Sequence, residues 1–243
     1  MKKILFALVF ALQSLVGATA TAAPCTTSSL AAYVGLGASG CSIGSFLFSD
    51  FALLASPAGS IPFPSIGVSP FSGTPGVIGL DFRVGASAGP GVFFDNLISY
   101  RVTGLGASIN GASLFITGSS SSGDGAVTAV ENLCIAGLFT GVDGVSGCSG
   151  MPRDLIVVDF GGSADPPVSL AFLSAAALAV VTDIGVDGGT DGTGALAFAS
   201  NRFLVAPAVG VVPEPSSVLL MAAGLFALFG YRWVRPVRAA RLR

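Results

Sequence analysis

Gly85-Ala86-Ser87-Ala88-Gly89 has the Gly-x-Ser-x-Gly spacing that can hold a serine nucleophile on a sharp turn. A serine hydroxyl needs a general base, and the sequence contains no histidine. Its two lysines are Lys2 and Lys3, far from any such site. A Ser-His-Asp hydrolase is therefore excluded, and the five residues read as a Gly/Ala-rich turn. The missing histidine also removes His-ligated zinc, copper and haem centres. Paired carboxylates suit a glycosidase, but no spacing brings two of the chain's acids together. Asp183, Asp187 and Asp191 recur every fourth residue beside Gly188, Gly189 and Gly192. Such loops can offer oxygen ligands to calcium. The competing reading is a hairpin turn, where Asp and Gly supply the geometry. Ser119–Gly123 reads as a flexible Ser/Gly loop. The residues thus point to a non-enzymatic protein with no cofactor.

Four cysteines, Cys25, Cys41, Cys134 and Cys148, form two local pairs in sequence. Three connectivities are possible. Cys25–Cys41 and Cys134–Cys148 are favoured, because each closes a small Gly-rich loop. Zinc ligation by the four lacks any Cys-x-x-Cys spacing.

The elements that must position these residues are mostly strands. Of 243 residues, 52% are hydrophobic and 10% charged, against about 25% charged in an ordinary globular chain. Ile78, Leu80, Phe82 and Val84 alternate with Gly79, Asp81 and Arg83; Ile98, Tyr100 and Val102 alternate with Ser99, Arg101 and Thr103. Period two marks half-buried strands. Further strands are expected at Phe46–Phe51, Ser113–Ile116, Val127–Ile135, Leu155–Phe160, Leu178–Ile184 and Ala195–Val205. Val168–Val181 is nearly all apolar but too short to span a bilayer. It reads as a buried strand entered from a short helical turn. The fold class expected is all-β, a β-sandwich-like body over residues 23–210.

Both ends differ from that body. Lys2-Lys3 and the apolar run Ile4–Val16 make the n- and h-regions of a signal peptide. Ala20-Thr21-Ala22 places the cut before Ala23, so residues 1–22 are expected to be removed. The residues before Cys25 do not resemble a lipobox. At the other end Ser216–Tyr231 is apolar, and Trp233 and Val234 extend it to a membrane helix over 216–234. Arg232, Arg235, Arg238, Arg241 and Arg243 follow, and the positive-inside rule keeps them cytoplasmic. Between the ends, four basic residues face twelve acidic ones, a net −8 over residues 23–212. A nucleic-acid binder needs a basic face, and this body has none.

Val212-Pro213-Glu214-Pro215-Ser216, then the apolar helix, then the arginine cluster, resembles a PEP-CTERM sorting signal, here over residues 211–243. The resemblance implies recognition at Pro213, Glu214 and Pro215 by an exosortase, a membrane enzyme of Gram-negative bacteria that make exopolysaccharide. It implies export through the Sec machinery and signal peptidase, a transient stay in the inner membrane, and cleavage near Pro-Glu-Pro. Release or attachment at the cell surface would follow. The body resembles, more loosely, ectodomains found before such signals. The residues concerned are Cys25 to Phe51, Thr182-Asp183-Ile184, Gly188-Gly189 and Asn201-Arg202-Phe203. The role expected is structural or adhesive, in an exopolysaccharide or biofilm setting. The alternative is a carbohydrate-binding module or carbohydrate-active enzyme, although the chain's one Trp lies in the C-terminal segment.

Overall fold

The computed structural model describes residues 22–54, 59, 61–62 and 65–206. The expected signal peptide up to residue 21, the Pro-Glu-Pro motif, the membrane helix 216–234 and the five tail arginines lie outside these. Among the described residues no helix is long and apolar enough to cross a membrane.

The chain opens with β1 (Ser28–Ser29) and a one-turn helix α1 (Leu30–Val34), whose N-terminus is capped by the Ser29 hydroxyl accepting from the Ala32 amide. Then come β2 (Cys41–Ile43), β3 (Phe46–Leu54), β4 (Gly67–Thr74), β5 (Val77–Ala88), β6 (Phe93–Gly104) and β7 (Ser108–Thr117). The second half holds β8 (Ser120–Ser122), β9 (Ala126–Ile135), β10 (Met151–Phe160), β11 (Ser163–Ala164), β12 (Val168–Ala175), β13 (Ala177–Asp187) and β14 (Thr193–Ala206). The first sheet runs β1-β4-β5-β14-β7-β12, with β8 also on β14. The second runs β11-β10-β9-β13-β6-β3-β2, and every strand pair is antiparallel. This is the expected all-β sandwich.

Alternation decides which side chains enter the core. Ile78, Leu80, Phe82 and Val84 of β5 are buried, as are Ile98, Tyr100 and Val102 of β6. Tyr100 lies at the centre, its ring 5.3–6.4 Å from those of Phe48, Phe51, Phe82 and Phe203. Phe82 and Phe203 come from the first sheet and the others from the second, so this cluster joins the two layers. Burying each ring stabilises the fold by about 1.5–3 kcal/mol. Behind the core, Arg202 on β14 pairs with Asp81 and lies 3.9 Å from the Phe71 ring centroid.

Three expectations are corrected. Gly85–Ala88 is not a turn but the end of β5. A register shift opposite Leu196 and Phe198 makes a bulge there, and Gly85 adopts a φ of +59° within it. Val168–Val181 is not one strand with a helical entry. It forms β12 and then the start of β13, in different sheets, with the chain crossing between them near Ala176. Most of β12 lies at an exposed sheet edge, and β13 is the central, buried part. Ser119–Gly123 is not a free loop, because β8 pairs with Thr193–Ala195. Ser121 is buried; its hydroxyl donates to Asp159 at 2.6 Å and accepts from the Gly162 amide.

Candidate functional site

The cysteines pair Cys25–Cys41 and Cys134–Cys148. The first ties the N-terminal segment to β2. The second has a larger consequence. Cys134 faces outward on β9, away from the core residues Leu133 and Ile135. Its bond to Cys148 therefore holds residues 136–150 against the outer face of the second sheet. That loop is internally ordered. Leu138 and Ser149 exchange hydrogen bonds, Gly141 donates to Ser146, and the Asp143 carboxylate accepts from Val145, Ser146 and the Ser146 hydroxyl. These bonds lower the Asp143 pKa. At the tip, Gly144 has a φ of +74° and lies against Leu54 of β3; a Cβ there would overlap the leucine methyls.

Between loop and sheet is a cleft of about 200 Å³. Its floor carries Ser99 and Arg101, two residues apart on β6 and so on one face. Its side is Asp50 and Leu54 of β3, and its roof is Leu138, Phe139 and Gly144. Asp50 reaches this face through a bulge: two residues, Asp50 and Phe51, oppose the single Tyr100 between the Ser49–Arg101 and Ala52–Ser99 pairs. Asp50, at a φ of +56°, stays outside while Phe51 enters the core at 3% exposure. The Arg101 guanidinium donates no hydrogen bond to a described residue, and its Nε is buried without a partner. Arg202–Asp81 is the one ion pair among the described residues, so Arg101 makes none with them.

Further along the same face, Asp183 of β13 meets Asp95 of β6. Burial first, and then the hydrogen bond and negative charge of Asp95, raise the Asp183 pKa to about 7. These carboxylates are paired by strand register, since Asp95 lies opposite Gly185. No sequence spacing showed that pairing. The calcium reading of Asp183, Asp187 and Asp191 finds no convergence. Asp183 and Asp187 are four strand residues apart, about 13 Å, and Asp187 accepts from the Gly189 amide instead. Among the described residues no group of three or more His, Cys, Asp or Glu is arranged to hold a metal ion. The loop after β13 is organised by Asp124. Its carboxylate accepts from the Thr190 hydroxyl and amide and the Asp191 amide, which lowers its pKa to about 2. That loop is also not a hairpin, since it carries the chain from the second sheet to the first. Ser87, the serine of the Gly-x-Ser-x-Gly pattern, pairs with Ala195 on the exposed side of β5.

Against this geometry, the PEP-CTERM protein-sorting motif is matched over residues 211–235. The motif marks an exported protein sorted by an exosortase at the cell surface. No curated protein matches the chain. Among solved structures, it is similar to TmCBM61 in complex with β-1,4-galactotriose, at 11% identity and a TM-score of 0.29, over 62% of this chain and 86% of that one.

Proposed function

We propose that the chain is a non-enzymatic surface or matrix protein, delivered by an N-terminal signal peptide and processed by an exosortase. The observation that carries this is the sorting-motif match beginning at residue 211, five residues after β14 ends at Ala206. A cut near Pro213-Glu214-Pro215 leaves the fourteen strands of the described residues and both disulfides on the released side. Disulfides are the staples of an oxidising, exported setting. In this reading the helix 216–234 holds the precursor in the inner membrane, the five arginines stop it there, and the body serves a structural or adhesive role among exopolysaccharide. Mass spectrometry of the mature protein tests the reading. A C-terminus between Pro213 and Ser216 is expected, and a chain still ending at Arg243 refutes processing. Replacing Pro213-Glu214-Pro215 by alanines is expected to retain the intact tail.

A second reading, binding of carbohydrate by the same body, is favoured by the cleft beneath the Cys134–Cys148 loop. It combines an unpaired guanidinium, a carboxylate and an apolar roof.

A further inference from the structure

We propose that this cleft is a binding site for one neutral sugar ring, such as a terminal hexose of a surface glycan; the proposal rests on the carbohydrate-binding reading. Arg101 is the starting point. Buried donors in native proteins are nearly always paired, and one left alone calls for a partner. The Arg101 Nε is buried and has none among the described residues; the terminal amino groups of the same guanidinium are not buried, no described residue accepts from them, and they are the donors a ligand in the cleft can meet. In a body with twelve acidic residues this cation has nevertheless no ion pair.

Asp50 decides the ligand's charge. It lines the same cleft as Arg101 without pairing to it. A simple anion suits Arg101 but meets the Asp50 carboxylate, and a simple cation suits Asp50 but meets Arg101. A ligand that both accepts and donates, with no net charge, satisfies both walls. Each hydroxyl of a polyol is one donor and one acceptor. Adjacent hydroxyls can accept from the guanidinium and donate to the carboxylate, and the Ser99 hydroxyl adds a third polar point on the floor. Phe139 and Leu138 offer an apolar surface to the C–H face of a ring. Volume sets the size. About 200 Å³ is less than the roughly 300–1,000 Å³ of pockets that enclose drug-sized ligands, so one ring fits and the remainder of a glycan stays outside.

The loop that forms the roof is fixed before any ligand arrives. Its own hydrogen bonds and the Cys134–Cys148 bond hold it in place. Such preorganisation lowers the ordering cost of binding.

The test is saturation-transfer NMR on the exported chain in detergent micelles. The probes are the methyl glycosides of glucose, galactose and mannose, with glucuronate and glucosamine as charged comparisons. At least one neutral glycoside is expected to bind, with affinity falling tenfold or more in Arg101→Met and unchanged in Arg153→Met. Arg153 is exposed on β10, away from the cleft. Phe139→Ala serves as a second variant should Arg101→Met fail to fold, with the same expected loss. Glycoside binding indifferent to both cleft variants refutes this site and leaves the carbohydrate reading standing. No binding of any of these sugars refutes both, and a preference for glucuronate or glucosamine refutes the neutral-ring site while leaving the carbohydrate reading standing. The sorting reading is judged separately, by the mature C-terminus.

Discussion

Glu131 is fully buried on β9, facing the core, and neither of its carboxylate oxygens has a partner among the described residues. Opposite it on β13 is Thr182, and its charge helps to raise the pKa of Tyr100, after burial. Burial alone raises the Glu131 pKa well above the usual 4.5, so the folded protein keeps a proton that the unfolded chain releases. Stability is then complete below the ordinary glutamate value and is lost as pH rises toward the folded value. The slope is that of one retained proton, about 1.4 kcal/mol per pH unit for as long as the folded carboxyl holds it. Asp183, raised to about 7, acts in the same direction but has mostly released its proton by pH 9. Glu131→Gln keeps the shape and removes the titration. Urea unfolding followed by circular dichroism at pH 7, 8 and 9 measures both proteins. Every cysteine is in a disulfide, so no thiol is present to reshuffle the bonds in alkali. The variant is expected to lack the wild-type slope and to gain on the wild type with each unit. Equal slopes in the two proteins would refute the assignment of the retained proton to Glu131.

Three other outcomes follow from the packing. Tyr100→Phe removes one of two acceptors from the buried Asn201 amide, whose other is Thr182; a loss of about 1–3 kcal/mol is expected by the same unfolding assay. Gly79→Ala places a methyl against the Asn201 carbonyl and Arg202 across the β5–β14 ladder, with an expected cost of about 1–3 kcal/mol as a lower melting temperature. Replacing Cys134 and Cys148 together by serine frees a loop whose closure is worth about 3 kcal/mol. It should also raise amide hydrogen exchange across residues 136–150 while leaving that of β5 and β14 little changed.

The sequence made much of this visible through alternation. Period two in Ile98, Tyr100 and Val102 placed Arg101 and Ser99 outside, where they are. The same rule, applied to Val127, Ala129, Leu133 and Ile135, puts Glu131 inside; only the aversion of carboxylates to burial argued otherwise. What alternation does not carry is register. Asp95 and Asp183 meet because β6 and β13 pair at one of many possible offsets, and Asp50 reaches the cleft through a bulge. The role of Asp124 depends on a loop 66 residues further along the chain. The two-sheet topology was equally hidden in Val168–Val181, where continuous hydrophobicity concealed a change of sheet. The sorting motif was legible for the opposite reason: its parts are contiguous.

β14 is the last strand of the body, yet it lies in the middle of its sheet. β5 pairs with it on one side, and β7 and β8 on the other. The first sheet therefore stays open until the end of the body is available, and assembly of its centre must await that strand. For a body held through its C-terminus, a pull enters along β14 itself. Its ladder bonds lie across that direction, so both flanking ladders must slide at once rather than part bond by bond. The strand nearest the proposed tether is thereby the one that grips hardest under tension.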